Sequence, residues 1–255
     1  MKLLATDYDG TLRYADKVME EDIEAIKKWK DKGYLFSIVT GRSLESITEQ
    51  IKMYNLPCDY IVTNNGGMVF DGQGVELMAS YLDYVTSLDV IYIAKESENV
   101  ASYVVNDGKV RHRVVVNEDV EEHRYPNLKQ DWKEEQVLDM GQFAQIVISM
   151  SSPEEALHMA EQINQYFSNT VIAYANNFVV DVVPKGVSKA TGLDFVATYT
   201  DVEEKDIYSI GDAHNDIPMI EYGENGMAMD LAPEDVKQFA KNTYSSISDM
   251  IQDIL

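Results

Sequence analysis

The sequence predicts an α/β fold, a doubly wound parallel sheet carrying an inserted α+β module. Three observations predict it. Short apolar runs repeatedly stop in polar, glycine-containing clusters, stretches with helical periodicity lie between those runs, and a central stretch replaces this alternation with strand–turn–strand patterns.

The first apolar run, Lys2 to Ala5, passes through Thr6 into Asp7-Tyr8-Asp9-Gly10-Thr11, which is how a strand buried on both faces ends. Glu20 to Lys32 then spaces Ile23, Ile26 and Trp29 about one turn apart and reads as a helix. Tyr34 to Val39 is a second strand, ending at Thr40-Gly41-Arg42. Leu44 to Tyr54 is a second helix, with Leu44, Ile47, Ile51 and Tyr54 on one stripe. Tyr60 to Val62 stops at Thr63-Asn64-Asn65-Gly66, and far along the chain Ile207 to Ile210 stops at Gly211-Asp212. Strands alternating with helices imply βαβ units and a parallel sheet covered on both faces.

From about residue 82 to 183 the grammar is antiparallel. Val100 to Val105 and Lys109 to Val116 flank Asn106-Asp107-Gly108, a hairpin signal. After the strand Phe143 to Met150, Ser152 reads as an N-cap with Pro153 at the first helical position and Glu154 and Glu155 in the first turn. Thr170 to Tyr174 and Phe178 to Val183 form a second hairpin around Asn176-Asn177, and helical pattern resumes at Lys189. The insert concentrates basic residues, Lys109, Arg111, Arg113, Arg124, Lys129 and Lys133, interleaved with acids. Strand alternation puts Arg111 and Arg113 on one side and His112 on the other.

With 255 residues, 45% of them hydrophobic and 25% charged, the chain has the composition of a globular protein large enough for one or two domains. A formal net charge of −23 repels polyanions, so nucleic acid and anionic membrane surfaces are poor partners. A small anion is still admissible, because one divalent cation overrides the mean field at short range. Cys58 is the only cysteine, which excludes intramolecular disulfides and cysteine metal clusters and fits a reducing compartment. Neither a signal peptide nor an apolar run long enough to span a membrane is legible, so the expectation is a cytoplasmic protein.

Chemistry concentrates at the carboxyl ends of the strands, where open α/β sheets bind ligands. Asp7 and Asp9 stand two residues apart after an apolar strand, and Asp212 and Asp216 follow another. Four acids converging on one edge raise one another's pKa values unless a hard cation neutralises them, and oxygen donors with room for water suit Mg²⁺. Thr40 and the N–H of Gly41 are placed to donate to an anion at a helix start. A lysine at a helix N-terminus opposes the macrodipole unless an anion lies there. Lys189 is therefore a candidate phosphate ligand, with Lys185 its competitor. His214 reads as a solvated loop residue.

Taken in order, Asp7-x-Asp9-Gly-Thr, Thr40-Gly-Arg, Lys189 and Gly-Asp212-x-x-Asn215-Asp216 resemble the four motifs of the haloacid dehalogenase (HAD) superfamily, over nearly the whole chain. The insert lies between the second and third motifs. Its position, with Asn64-Asn65-Gly66, Gly186-Val187-Ser188-Lys189 and Met227-Ala228-Met229, is similar to the Cof-type sugar-phosphatase branch with its large α/β cap. The resemblance implies a Rossmann-like core from residues 1–81 and 184–255 and a cap from residues 82–183 that acts as a lid and reads the leaving group. It also implies Mg²⁺-dependent hydrolysis of a phosphomonoester on a small metabolite, such as a sugar phosphate, by a monomer or small homo-oligomer. Asp7 would be the nucleophile that becomes an aspartyl phosphate, and Asp9 the acid and base. The metal would be held by Asp7, the Asp9 main-chain carbonyl, Asp212 and Asp216, and the phosphoryl oxygens by Thr40, Gly41, Lys189 and Asn215. A phosphotransferase or phosphomutase relative, a receiver-type signalling module and a non-catalytic phosphometabolite-binding regulator are alternatives left open by the sequence.

Overall fold

The computed structural model describes residues 1–124 and 129–255, which fold as two compact units, Met1–Met78 with Ser188–Leu255, and Ala79–Val187. No helix among the described residues is long and apolar enough to cross a membrane.

The first unit is built on an eight-stranded sheet. Its order is Asn242–Tyr244, Asn225–Met229, Ile207–Gly211, Leu3–Thr6, Leu35–Val39, Tyr60–Thr63, Met68–Asp71 and Glu76–Ala79. The first six are parallel, with Ala5 opposite Ser209 on one side and Ser37 on the other. The next pairing is antiparallel, between Tyr60–Thr63 and Met68–Asp71, so an antiparallel edge is added to the predicted parallel sheet. The reason is loop length. Only the short turn Asn64–Gly67 joins them, and a parallel crossover needs a dozen or more residues.

Leu3, Leu4, Ala5, Phe36, Ile38 and Val39 are all fully buried, as strands covered on both faces require. The helix Glu20–Asp31 buries Ala25, Ile26 and Trp29, and the Trp29 Nε1–H donates to the Leu35 carbonyl at 2.8 Å. The helix Leu44–Tyr54 has the bounds its periodicity predicts. Ser43 caps its start, and Asn55 ends it in the left-handed conformation. The helix Lys189–Thr200 starts at a reciprocal cap between Ser188 and Thr191 and packs Leu193, Val196 and Ala197 against Leu3, Ala5, Val39 and Val62.

The second unit is a five-stranded antiparallel sheet in the order Val171–Asn176, Val179–Pro184, Gln145–Met150, Val100–Asn106, Arg111–Val115. The helices Tyr84–Glu96 and Pro153–Phe167 cover one face, packing Val90, Ala94, Met159 and Ile163 with Tyr103, Val105, Ile146 and Ile148. Ser152 caps the second helix by accepting the Glu155 N–H, as its sequence predicts. The first hairpin's loop is longer than expected. Asp107 Oδ1 accepts the N–H groups of both Lys109 and Val110, so the returning strand begins at Arg111. Arg113 donates to Ser102 Oγ and Glu122, on the sheet face away from the two helices, while His112 stacks on Trp132 with centroids 3.6 Å apart.

Candidate active site

Four neighbouring parallel strands end on one edge of the first unit's sheet, and each delivers a different loop. Leu3–Thr6 runs into Asp7, Leu35–Val39 into Thr40, Tyr60–Thr63 into Asn64, and Ile207–Gly211 into Asp212. The loops are bonded to the sheet: the Asp7 N–H donates to the Ile210 carbonyl at 2.9 Å and the Thr40 N–H to the Val62 carbonyl at 2.8 Å.

Asp7, Asp212 and Asp216 come together, with one carboxylate oxygen from each within 4.8 Å of the others. Lys189 lies among them, its Nζ 2.5 Å from Asp7 Oδ1 and 2.6 Å from Asp216 Oδ1, with all three of these side chains almost fully buried. Lys185, the other candidate cation, is exposed. The Asp216 carboxylate is further held by the N–H groups of Asp212 and Ala213, each at 3.0 Å on Oδ2, and Thr11 Oγ1 donates to Asp212 Oδ1 at 2.8 Å. Gly10 explains why the first loop closes on the last. Its φ is +97°, and a Cβ there would lie 2.3 Å from Asp212 Oδ2, so only glycine fits.

Electrostatically the cluster is short of positive charge, with one ammonium against three carboxyl groups. Burial raises the Asp7 pKa well above its ordinary value; the Asp216 and Asp212 charges add to this, and Lys189 opposes it. Burial, then Asp216, pushes Asp212 up to about 6. For Lys189 burial acts to lower the pKa, but Asp216 and Asp7 outweigh it, so the ammonium stays protonated. Three convergent carboxylates in need of charge fit a hard divalent cation, the donor set Mg²⁺ takes.

The Asp9 side chain is engaged elsewhere. Arg42 grips it bidentately, Nε to Oδ2 and the terminal NH2 nitrogen to Oδ1, both at 2.6 Å, and Arg13 adds a longer contact at 3.4 Å. Arg42 is itself fixed by Ser46 Oγ at 3.1 Å and by the Tyr8 ring, 5.1 Å below its guanidinium. Tyr8 is buried, and its hydroxyl donates to Gln50. Thr40 Oγ1 accepts the Arg42 N–H, and Gly41 lies beside the Asn65 carboxamide, which accepts a hydrogen bond from Asn215 Nδ2 at 3.0 Å. His214 bonds Asp235 at the surface, apart from the cluster.

Sequence reasoning gave no role to Arg42, Thr11 or Asn65. Arg42 carried a signal, as the third residue of a strand-end Thr-Gly-Arg. The contacts of Thr11 and Asn65 span 201 and 150 residues, and no local pattern encodes them.

A parallel sheet with ionisable side chains buried at its carboxyl edge is the arrangement on which α/β enzymes build their active sites. The haloacid dehalogenase-like hydrolase family model matches residues 4–250, and the chain belongs to that family. Among its relatives, the 5-amino-6-(5-phospho-D-ribitylamino)uracil phosphatase YwtE of Bacillus subtilis is 25% identical, covering 96% of this chain and 92% of that one. The HMP-PP phosphatase of Serratia proteamaculans is 24% identical over 92% of this chain and 86% of its own. A solved structure from Plasmodium vivax, described as a HAD/COF-like hydrolase, superposes with a TM-score of 0.86 at 25% identity, covering 100% of this chain and 95% of the other. The protein is thus a hydrolase of the Cof-type HAD group, and relatives such as the two named here are phosphatases.

Proposed function

We propose that this protein is a Mg²⁺-dependent phosphatase that hydrolyses the phosphomonoester of a small metabolite, a sugar phosphate or a similar polyol phosphate, in the cytoplasm. One observation carries the reading: three carboxylates and a buried lysine, brought from chain segments about two hundred residues apart, meet at one strand edge. A divalent ion bound by Asp7, Asp212 and Asp216 supplies the positive charge this cluster lacks and lets an anionic substrate approach an anionic nucleophile.

The remaining chemistry belongs to the chain. Asp7 attacks phosphorus in line. A bond forms between its carboxylate oxygen and phosphorus as the bond to the leaving oxygen breaks, and Asp9 gives that oxygen a proton. Asp9 then takes a proton from the water that attacks the aspartyl phosphate, and inorganic phosphate leaves with Asp7 regenerated. Lys189, Thr40, the Gly41 N–H and Asn215 hold the phosphoryl oxygens, and such positioning is most of what phosphoryl transfer asks of a protein. The Arg42 clamp fixes the direction of the ionised Asp9 carboxylate for the base step, and the proton-donating step requires one Asp9 oxygen to leave the guanidinium fork. Residues 79–187 act as the cap that reads the leaving group.

The test is a phosphatase panel run with Mg²⁺ and with EDTA across sugar phosphates, nucleotides and pyridoxal phosphate. Mg²⁺-dependent release of phosphate, strongest on small sugar or polyol phosphates, is expected. Metal-independent turnover, or none on any phosphomonoester, would overturn the reading.

A further inference from the structure

The turn Asn64–Gly67 meets three other parts of the site. The Asn65 N–H donates to the Thr40 carbonyl at 3.1 Å and the Asn64 N–H to the Arg42 carbonyl at 3.0 Å, tying the turn to the Thr-Gly-Arg loop. Asn65 Oδ1 accepts from Asn215 Nδ2, which ties it to the loop after Ile207–Gly211. Gly66, at φ +98°, lies so close to the start of the Lys189 helix that a Cβ would stand 1.8 Å from the Ser188 carbonyl oxygen. The turn is therefore a junction of three loops, and its central side chain is the Asn65 carboxamide.

That side chain is 1% exposed, and its Nδ2 has no hydrogen-bond partner among the described residues. Buried amide donors are nearly always paired in native proteins, so an orphan at a functional edge calls for a ligand. Its surroundings say what kind. A Cβ placed on Gly41 would lie 3.1 Å from Asn65 Oδ1 and 3.2 Å from Nδ2, so the carboxamide sits over the strand-end glycine whose N–H is a candidate anion donor. Asn215, bonded to the oxygen of the same carboxamide, is another such candidate. The backbone spends strain to place it, since Asn65 adopts φ +54°, a left-handed conformation that most residues avoid and that Asn tolerates.

We infer that Asn65 binds the phosphoryl group directly: its Nδ2 donates to a phosphoryl oxygen while its Oδ1 holds Asn215 in line. The inference rests on the phosphatase reading above and adds to it a donor from a fourth strand-end loop. One carboxamide thereby does two jobs with its two ends, and the two are separable by substitution.

Asn65→Asp keeps an acceptor for Asn215 and suits the left-handed backbone but turns a carboxylate toward the anion. Asn65→Gly removes the side chain with no backbone penalty at this φ. The experiment measures p-nitrophenyl phosphate hydrolysis with Mg²⁺, inhibition by inorganic phosphate, and melting temperature for wild type and both variants. The expected result is a phosphate inhibition constant and a KM raised at least about tenfold in the Gly variant, which loses the direct hydrogen bond to a charged group and the anchor of Asn215 together. The Asp variant should be weaker still, with both variants melting close to wild type. An Asp variant that binds phosphate like wild type would reduce Asn65 to a support for Asn215 and overturn the inference, as would unchanged inhibition in both variants or a collapse in melting temperature of both. Wild-type protein that neither hydrolyses p-nitrophenyl phosphate nor responds to phosphate would instead overturn the phosphatase reading itself.

Discussion

Asp7 and Asp9 leave the same strand two residues apart and enter opposite surroundings. Asp7 is buried with Asp212, Asp216 and one lysine, in a pocket where negative charge is in excess. The Asp9 side chain keeps about a quarter of its surface in solvent and faces two guanidinium groups. Residue type is identical, so the difference comes entirely from what the later chain brings up: Lys189 and the Asp212 loop to one carboxylate, Arg42 to the other. Under the mechanism proposed above, these two environments suit the two acids to two tasks, one bonding to phosphorus and the other moving a proton near water.

The strongest way to break this division is at Asp7. Asp7→Asn removes the attacking oxygen's charge, and kcat is expected to fall at least about a thousandfold, as when a covalent nucleophile is lost. Residual metal-dependent turnover within tenfold of wild type would refute the covalent route. Lys189→Met comes next, because it leaves the buried carboxylates without their ammonium. Breaking a buried ion pair from one side costs about 3–5 kcal/mol, or about 10 °C in melting temperature for a chain of this size. Calorimetry in EDTA should show that fall, with part of it recovered at pH 4.5, where the acids protonate; an unchanged melting temperature would deny Lys189 its charge-balancing part.

On the Asp9 side the effects are smaller and are read in the kinetics. Arg42→Ala frees the carboxylate's direction and should lower kcat about ten- to a hundredfold, a fraction of what general acid–base catalysis contributes. Arg42→Lys should not restore it, since an ammonium cannot reproduce the two 2.6 Å contacts of the fork. Full rescue by lysine would show that charge alone, and no fixed orientation, is what Asp9 needs.

The same contrast explains what was legible in the sequence. Strands that end in polar clusters, the bounds of Leu44–Tyr54 and the Ser152 cap are local facts, written in short-range hydrophobic spacing and capping chemistry. Asp7, Asp212 and Lys189 stood out because acids and a lysine at such strand ends are costly without a ligand. The antiparallel strand Met68–Asp71 escaped because four turn residues before an apolar run read equally as a loop into a crossover. The strand Asn242–Tyr244 escaped too, since three residues carry no period. The pairings of Asp9 and Asn65 escaped for a different reason: Arg42 stands in a visible strand-end Thr-Gly-Arg, but that it grips Asp9, 33 residues back, and that Asn215 reaches Asn65 across 150 residues, is written in no window of sequence.

The smallest expected effect tests the charge-poor side of the comparison through pH. Asp212 has its pKa raised from 3.8 to about 6 in the folded chain, and Asp7 moves in the same direction. A raised carboxyl pKa means the folded state holds protons that the unfolded state has released. The stability these groups contribute to the metal-free protein is therefore complete below the unfolded value near 3.8 and is lost as pH rises through about 6. A divalent ion needs the same carboxylates deprotonated, so its stabilisation moves the opposite way, absent near pH 4.5 and growing until it levels off above pH 7. The difference in melting temperature between Mg²⁺-loaded and EDTA-treated protein should thus widen by several degrees between pH 4.5 and 7.5, at about 2–4 °C per kcal/mol. Asp212→Asn cannot titrate and should flatten that curve while leaving the chain folded. A gap that stays constant across this range in the wild type would mean that Asp7 and Asp212 are already ionised without metal. The electrostatic contrast between Asp7 and Asp9 would then lie in geometry alone.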